Sequence, residues 1–343
     1  MEINMKNITK VGLSALAGSL AFTSAQAGEV SISGSMIASY TKKGGYNTTG
    51  NPLGMNKELT ITGSGELDNG VSVAYKQTVT NAMAYNDSEL VFTGVPMTGG
   101  ATVALTSTGS PLDAIDDKTP IAFEEANAAV GSIDDVAGVN GTYGIRYTLA
   151  DVMGSGVKLD AMYVPKVGSG DASAEKGSSG STVDGNEDGY DIVLSGAVPG
   201  VDGLTFNAGY SELNVSSKEN AASNGNDKHE GTINLNYAIG AVKVGGQRSW
   251  VSTGGTGEVL YETDYLGISY AISDNLSVSY NEIESLKDTK AAGNNITQDM
   301  ESISLSYTSG GMTIGILDSD ADNASYSSGR TQSARAIQMT IAF

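Results

Sequence analysis

A period-two alternation of apolar and polar side chains runs along most of the chain and constrains its fold more than any other feature. In "TINLNYAI", the bulky apolar side chains of Ile233, Leu235, Tyr237 and Ile239 share one face. The stretches "GVSVAYKQTV", "NLSVSY" and "SISLSY" repeat the pattern. Successive side chains of a strand point to opposite faces, so each stretch is predicted to be a strand with one apolar and one polar face. We count sixteen such segments after Glu29.

The connections between these segments alternate in length along the chain. Tight turns rich in Gly, Asn, Asp and Pro, which suit hairpins, lie at 68–70, 96–100, 199–203, 273–275 and 309–311. Longer polar connections lie at about 42–56, 80–87, 108–140, 166–188, 214–230, 252–257, 286–298 and 320–330. An even number of antiparallel strands with short turns at one end and long loops at the other predicts an all-β, 16-stranded antiparallel transmembrane β-barrel. Closure pairs every backbone polar group and leaves no free edge.

Composition separates this fold from other all-β folds. A soluble β-sandwich or a repeat adhesin also has alternating strands, but its interior needs many large apolar side chains. Here the second face is Ser, Thr, Asn and Gly, and the chain holds only 5 Phe and 1 Trp. The formal net charge of −20 argues against nucleic-acid binding, which needs a basic face. The absence of Cys excludes disulfides, thiolate metal sites and Cys catalysis.

The N-terminus has the layout of a secretory signal peptide. Lys6 and Lys10 precede the apolar run "VGLSALAGSLAF", and "SAQA" supplies small residues for cleavage after Ala27. The run is shorter than the roughly 20 residues that span a bilayer as a helix. We therefore predict a signal peptide over residues 1–27 and a barrel over residues 28–343.

The chain resembles the Gram-negative general diffusion porins, especially their alphaproteobacterial branch, over essentially its full length. The resemblance rests on the order and spacing of "GEVSISGS", "GSGELDNGVSVAY", "LDAIDDKTPIAFEEA", "ISYAISDNLSVSYNEIE", "ISLSYTSGGMTIG" and the last strand, which ends in Phe. The chain lacks the Pro-Glu-Phe-Gly-Gly signature that the enterobacterial branch carries in its third loop. The resemblance implies a homotrimer of sixteen-stranded barrels in the outer membrane of a Gram-negative bacterium. It also implies a third loop, here 108–140, folded inward to narrow a pore for passive diffusion of ions and small hydrophilic solutes.

The 108–140 loop is the longest connection and is strongly acidic, and long loops of this kind are usually functional. One interpretation is a solvated outer loop. The other places its carboxylates in the lumen, opposite basic side chains whose strand parity is polar, where rings of charge set ion preference. The candidate acidic residues are Asp113, Asp116, Asp117, Glu124 and Glu125, and the candidate basic wall residues are Lys76, Arg146, Lys158 and Lys243. The excess of acid predicts mild cation selectivity.

Three residues whose strand parity places them on the apolar, lipid-facing side need separate interpretation. Arg248 and Arg335 fall in the lipid-facing phase near the loop ends of their strands. We interpret them as interfacial and facing lipopolysaccharide phosphates, with a local bulge as the alternative, since a charge at the bilayer midplane costs about 2–4 kcal/mol. Phe343 ends the sixteenth strand, which is predicted to close against the strand that begins at Glu29. In the resembled family, a terminal aromatic residue is the signal that the barrel assembly machinery reads.

No constellation for catalysis is present in the sequence. The only His, His229, lies in a polar loop, and no zinc, phosphate-loop or EF-hand spacing occurs. We therefore predict no enzyme activity and no cofactor, with weak Ca²⁺ binding at the oxygen-rich stretches 184–189 and 318–323 as the alternative to solvated loops. A substrate-specific channel and a surface adhesin are the alternative functions, and single-channel conductance separates them from a general pore.

Overall fold

The structure, a computed structural model, describes residues 30–79, 85–107, 109–139, 143–167, 186–215, 227–254, 257–289 and 294–343. These ranges contain sixteen β-strands and a short 3₁₀ helix, Asp113–Ile115, between the fifth and sixth strands. The strands are β1 Val30–Gly45, β2 Leu53–Glu66, β3 Ser72–Val79, β4 Tyr85–Thr93, β5 Thr102–Thr106, β6 Gly144–Leu149, β7 Val157–Val164, β8 Asn186–Ala197, β9 Leu204–Val215, β10 Lys228–Ile239, β11 Val242–Ser252, β12 Leu260–Ser273, β13 Leu276–Asp288, β14 Ile296–Ser309, β15 Met312–Asp322 and β16 Gln332–Ala342.

The strands form one closed antiparallel barrel in sequence order. Each strand pairs with its neighbours along the chain, and β1 pairs with β16 from Ser35 opposite Ala342 to Gly45 opposite Gln332. The predicted sixteen-stranded antiparallel barrel is therefore confirmed. The predicted signal peptide, 1–27, lies outside the described residues. Within the described residues, no helix is long and apolar enough to cross a membrane.

The two faces of the sheet differ as the alternation predicts. Along β10, Ile233, Leu235 and Tyr237 are exposed on the outer face, whereas Thr232 and Asn234 are buried on the inner face. The same alternation places Tyr163, Tyr237, Tyr270, Tyr280 and Tyr307 outward, each with more than a third of its surface exposed. The outer face is thus an apolar surface with aromatic residues, as a lipid-facing barrel requires.

Several strands extend into the predicted long connections, the eighth among them. His229, predicted to lie in a loop, is in β10. The oxygen-rich stretch 318–323 is not a loop, because β15 continues through Asp322. Asp318, Asp320 and Asp322 alternate with buried Ser319 and Ala321, so the period of two persists while its outer residues change from apolar to acidic. The other oxygen-rich stretch, 184–189, overlaps β8 from Asn186 onward. Among the described residues, no group of three or more His, Cys, Asp or Glu side chains could hold a metal ion.

The two outward arginines lie in regular ladders, so the bulge interpretation is wrong. Arg248 is opposite Asp264 on β12 and Arg335 is opposite Asp318 on β15, and neither ladder shifts register there. Arg248 contacts its partner with two hydrogen bonds, Nε to Oδ1 at 2.6 Å and Nη2 to Oδ2 at 2.5 Å. Arg335 donates to Asp318 Oδ2 from both Nε and Nη2. Each arginine therefore forms an ion pair on the outer face in which the aspartate neutralises its charge.

Candidate functional site

Residues 109–139, called here the lumenal segment, lie along the inner face of the barrel. The segment is anchored first by the 3₁₀ turn, where Leu112 and Ile115 pack against Val136 of the same segment and Val193 of β8. The hydroxyl of Ser110 accepts a hydrogen bond from Asp113 N at 2.9 Å. Apolar side chains spaced three residues apart in one turn therefore fix the start of the segment on the wall.

The middle of the lumenal segment binds polar side chains of the inner face. Main-chain N–H groups of Ala122 and Phe123 donate to Ser279 Oγ at 2.8 Å and Ser304 Oγ at 3.2 Å. Ala126 N donates to Asn281 Oδ1 at 3.0 Å. These serines and asparagine supply hydrogen-bond partners to a loop backbone that would otherwise be buried without any.

An apolar patch on the inner face explains several departures from strict alternation. Ala126 and Val130 of the lumenal segment form one buried cluster with Tyr265, Ile283 and Met300 of β12–β14. Tyr265, Ile283 and Met300 occupy inward positions that are elsewhere polar, and they are at most 2% exposed. Burial of such side chains contributes about 25 cal/mol per Å² of apolar surface, so this patch holds the segment against one side of the barrel.

The end of the lumenal segment is held by carboxylates of the wall and by the last long connection. Glu230 Oε2 accepts hydrogen bonds from Ala137 N and Gly138 N, both at 2.7 Å, and Asp191 Oδ1 accepts one from Val139 N at 3.1 Å. Tyr326, between β15 and β16, has its hydroxyl 2.8 Å from Ser285 Oγ and accepts a hydrogen bond from Asp134 N at 3.2 Å. The segment is thus tied to strands from β8 to β14.

Four carboxyl groups of the lumenal segment influence one another electrostatically. Burial, then the charges of Asp117 and Asp135, raise the pKa of Asp116 to about 8. Burial, then the same two charges, raise the pKa of Glu125 to about 8, and its Oε1 is a buried atom with no hydrogen-bond partner in the described part of the chain. Burial also raises the pKa of Asp135 to about 7, and Tyr265 Oη donates to its carboxylate.

The remaining predicted acidic residues lie at the margins of this group. Burial and the charge of Asp117 raise the pKa of Asp113. Burial raises the pKa of Glu124, with no contribution from a neighbouring charge. Asp117 is half-exposed and forms an ion pair with Lys118 at 2.9 Å. The structure thus groups Asp113, Asp116, Asp117 and Glu125, and it adds Asp135, which was not among the candidate residues.

The predicted basic residues fall into three places on the inner face. Arg146 of β6 and Lys158 of β7 share Asp160, which Arg146 binds through Nε at 2.8 Å and Nη2 at 2.7 Å, and Lys158 through Nζ at 2.9 Å. Lys76 of β3 is opposite Glu89 of β4. Lys243 of β11 lies on the side of the barrel that the lumenal segment covers, and it lines a cavity with Lys118.

Two carboxylates that balance the basic residues were missed from the sequence. Asp160 is two residues from Lys158 on the same face of β7, so the strand pattern contained the signal. Glu89 lies in one of the two segments with the weakest alternation, where its phase is hard to read from the sequence. Their positions leave the wall from β3 to β7 less basic than its lysines and arginine alone suggest.

A closed barrel with an apolar outer face and a polar, charged lumen defines a class of transmembrane β-barrel channels. Sequence comparison identifies the particular family: the chain belongs to the Gram-negative porins, whose family model matches residues 12–334. It is accordingly an outer-membrane protein of a Gram-negative bacterium that forms a diffusion channel, and the family and fold are those of channels without enzyme activity. No curated protein sequence matches the chain.

Solved structures of several porins share the barrel. The anion-selective porin from Comamonas acidovorans is 15% identical, with 92% of this chain and 100% of that chain covered and a TM-score of 0.63. OmpF of Salmonella typhi, in complex with daunomycin, is 12% identical, with 92% and 98% covered and a TM-score of 0.67. The trimer form of OmpT from Vibrio cholerae is 10% identical, with 92% and 100% covered and a TM-score of 0.65. At these identities, the similarity shows the fold alone.

Proposed function

We propose that the channel is a general pore for ions and small hydrophilic solutes, with a mild preference for cations. The observation that carries the preference is the placement of Asp160 between Arg146 and Lys158, which cancels part of the basic charge of the wall. The acidic group of the lumenal segment then outweighs the remaining lysines. The preference is mild because burial keeps the pKa of Asp116, Glu125 and Asp135 near 7 to 8, so part of this group is neutral at physiological pH.

Zero-current potentials across a planar bilayer with a KCl gradient test this proposal. At pH 8, the sign of the potential should show more permeant K⁺ than Cl⁻, and neutralising Asp117 with Asp117→Asn should reduce it. A clear anion preference would contradict the proposal. The Comamonas porin is named for anion selectivity, but at 15% identity the similarity shows the fold alone.

We further propose that three barrels assemble as a homotrimer in the outer membrane. The support is the trimer form of the structurally similar Vibrio protein and the strongly exposed apolar side chains of β1 and β2, with Val30 72%, Leu53 69% and Met55 65% exposed. The expected lipid partner is lipopolysaccharide, near the Arg248 and Arg335 ion pairs, and the expected assembly partner is the barrel assembly machinery. Cross-linking of the folded protein in outer-membrane vesicles tests the trimer, which a purely monomeric pattern would contradict.

A substrate-specific channel is the second candidate, favoured by cavities in the lumen wall. One cavity of about 230 Å³ lies beside Lys76 and Glu89, and one of about 320 Å³ lies beside Lys118 and Lys243. Single-channel recordings separate the two functions. A general pore gives large, ohmic conductance that solutes reduce only by volume, whereas a specific channel gives saturable block by one solute. We propose no resident cofactor for either function.

A further inference from the structure

The cavity beside Lys118 and Lys243 lies between the lumenal segment on one side and strands β9–β11 on the other, and it is open to the lumen. Its volume is about 320 Å³, and its lining includes Thr205 of β9, Asn236 of β10 and Pro120 of the segment. It lies near the tight turn between β10 and β11, because Ala238 and Lys243 are opposite each other in that hairpin. The cavity therefore faces the end of the barrel that carries the short turns.

The wall of this cavity is fixed by hydrogen bonds at both main-chain atoms of Lys118. Lys118 N donates to Gln247 Oε1 at 3.1 Å, and Asn236 Nδ2 donates to Lys118 O at 2.6 Å. These two hydrogen bonds fix the position of the Lys118 Cα atom over β10 and β11, and so fix the origin of its side chain.

A glycine permits this close approach. A Cβ atom at Gly245 would lie 2.7 Å from Pro120 Cδ and would collide with the amide of Asn236. Any larger residue would push the segment off the wall or displace the Asn236 amide that holds Lys118. The absence of a side chain at Gly245 therefore allows the lumenal segment to lie close to β10 and β11 at Pro120.

The charges around the cavity favour an anion. Lys243 is exposed, and within the described residues it forms no ion pair; its neighbours across the ladders are Ala238 and Ser269, both uncharged. Lys118 is paired with Asp117, but both side chains are about half-exposed, at 41% and 53%. Lys118 also interacts electrostatically with Glu125, but the pKa of that carboxyl is raised to about 8, so it is mostly neutral at pH 7. At that pH the two ammonium groups face one charged, solvent-screened carboxylate, Asp117, and such an exposed pair contributes little.

We propose that this cavity is a subsite for a small phosphate-bearing solute, held between the ammonium groups of Lys118 and Lys243. Lysine binds phosphate as a point charge with several donors, and the Thr205 hydroxyl adds a neutral donor in the same cavity. Pockets that enclose small solutes begin at about 300 Å³, so the volume accommodates a phosphate with a small organic group as well as inorganic phosphate. The inference rests on the proposed pore. The subsite would let anions bind locally in a channel whose lumen is acidic overall.

Two measurements test the subsite, one of them without ion flow. In detergent-folded protein, line broadening of the ³¹P signal of inorganic phosphate reports binding directly. In a planar bilayer with KCl, inorganic phosphate, a hexose phosphate and the unphosphorylated hexose are added to one side at a time. Lys243→Gln removes one ammonium of the subsite. Lys76→Gln is the matched comparison. It also removes one positive charge from the lumen, but from β3 and outside the proposed subsite.

We expect saturable binding and saturable block by both phosphates, stronger from the side of the short turns, and neither from the hexose. Lys243→Gln should raise the half-saturating phosphate concentration roughly tenfold, the effect of losing one charge-assisted hydrogen bond, and Lys76→Gln should leave it within about twofold. Equal weakening in both variants would overturn the subsite, since it would show a general effect of lumen charge. Absence of ³¹P broadening would overturn it as well. Phosphate binding by a barrel that carries no current would support the subsite and contradict the pore.

Discussion

The ring of Phe343 lies across the backbone of Gly34, and the main chains of the two residues exchange both hydrogen bonds. Gly34 N donates to Phe343 O at 2.9 Å, and Phe343 N donates to Gly34 O at 3.0 Å. A Cβ at Gly34 would lie 2.8 Å from Phe343 Cε2, so the glycine leaves room for the ring. The last residue therefore completes the β1–β16 seam, and its ring stays on the outer face, 70% exposed.

Deletion of Phe343 is expected to impair assembly of the barrel much more than conduction. The deletion removes the last pair of seam hydrogen bonds and the terminal aromatic residue, but it touches no side chain of the lumen. The yield of folded protein in the outer membrane should fall several-fold, while pores that do form should keep the wild-type conductance. Phe343→Tyr is the control, since it keeps the ring and both main-chain bonds. Equal yields with and without Phe343 would refute the expectation.

Cation selectivity is expected to increase with pH between about 6 and 9. The pKa of Asp116 and of Glu125 is raised to about 8, and that of Asp135 to about 7, so these carboxyls are mostly neutral at the lower pH and charged at the higher. Zero-current potentials at the two pH values measure the change. The double variant Asp116→Asn/Glu125→Gln should flatten the profile, and an unchanged profile in that variant would contradict the assignment.

The same groups predict the sign of the pH dependence of stability. Their pKa values in the folded barrel exceed the roughly 4 of an unfolded carboxyl, so the folded state binds more protons between pH 4 and 8. The contribution of these carboxyls to the free energy of unfolding is fully present below about pH 4. It is lost as the pH rises through about 8. Urea unfolding in detergent at several pH values measures this trend, and the double variant should lessen its slope.

Tyr326→Phe is expected to loosen the lumenal segment. The change removes the hydroxyl that accepts from Asp134 N and contacts Ser285 Oγ, but it keeps the ring, which lies 5.3 Å from that of Tyr261. Loss of about 1 kcal/mol should raise the population of detached states roughly fivefold. Single-channel recordings should show more frequent brief closures. Tyr46→Phe, in another long connection with its ring beneath Arg330, should record like wild type. Identical closure rates in the two variants would exclude this role for the hydroxyl.

Asp160→Asn is expected to shift selectivity toward anions. Asp160 is 4% exposed and balances Arg146 and Lys158, so its neutralisation adds one net positive charge to the lumen. Loss of a charged acceptor should also destabilise the barrel by about 1–3 kcal/mol. Zero-current potentials measure the first effect and urea unfolding the second. Asp68→Asn, on an exposed tight turn, is the control for loss of one carboxylate elsewhere, and equal potentials in both variants would contradict the role of Asp160.

Asp299→Asn is expected to stabilise the barrel. On the outer face above the apolar surface, Asp299 of β14 is opposite Glu284 on one side and Asp322 on the other. Like charges directly opposite each other in a sheet destabilise it by roughly 0.2–1 kcal/mol, so the substitution relieves two such contacts. The gain should be visible in urea unfolding at low salt and should shrink at high salt. Asp202→Asn, on an exposed turn, should give no comparable gain.

The sequence by itself determined the number of strands, their order and the side of the sheet that most strand residues face. These features depend on local rules: the side-chain period of two in a strand and the turn chemistry between neighbouring strands. Ile233 and Tyr237 therefore lie outward as predicted, and Phe343 lies in the outward phase. The local rules failed at β15, where outer aspartates replaced apolar residues and were interpreted as a loop.

Only the tertiary structure decided which charges meet. Asp160 between Arg146 and Lys158, Asp135 beside Tyr265, and Lys118 beside Lys243 depend on the register of the barrel and on the path of the lumenal segment. The inward Ile283 and Met300 break the polar phase because they pack against Ala126, more than a hundred residues away in the chain. Contacts between residues so far apart in the chain leave no periodic pattern in the sequence of either partner. The local pattern reports only the strand or loop in which a residue lies, and the closed barrel decides which residues meet.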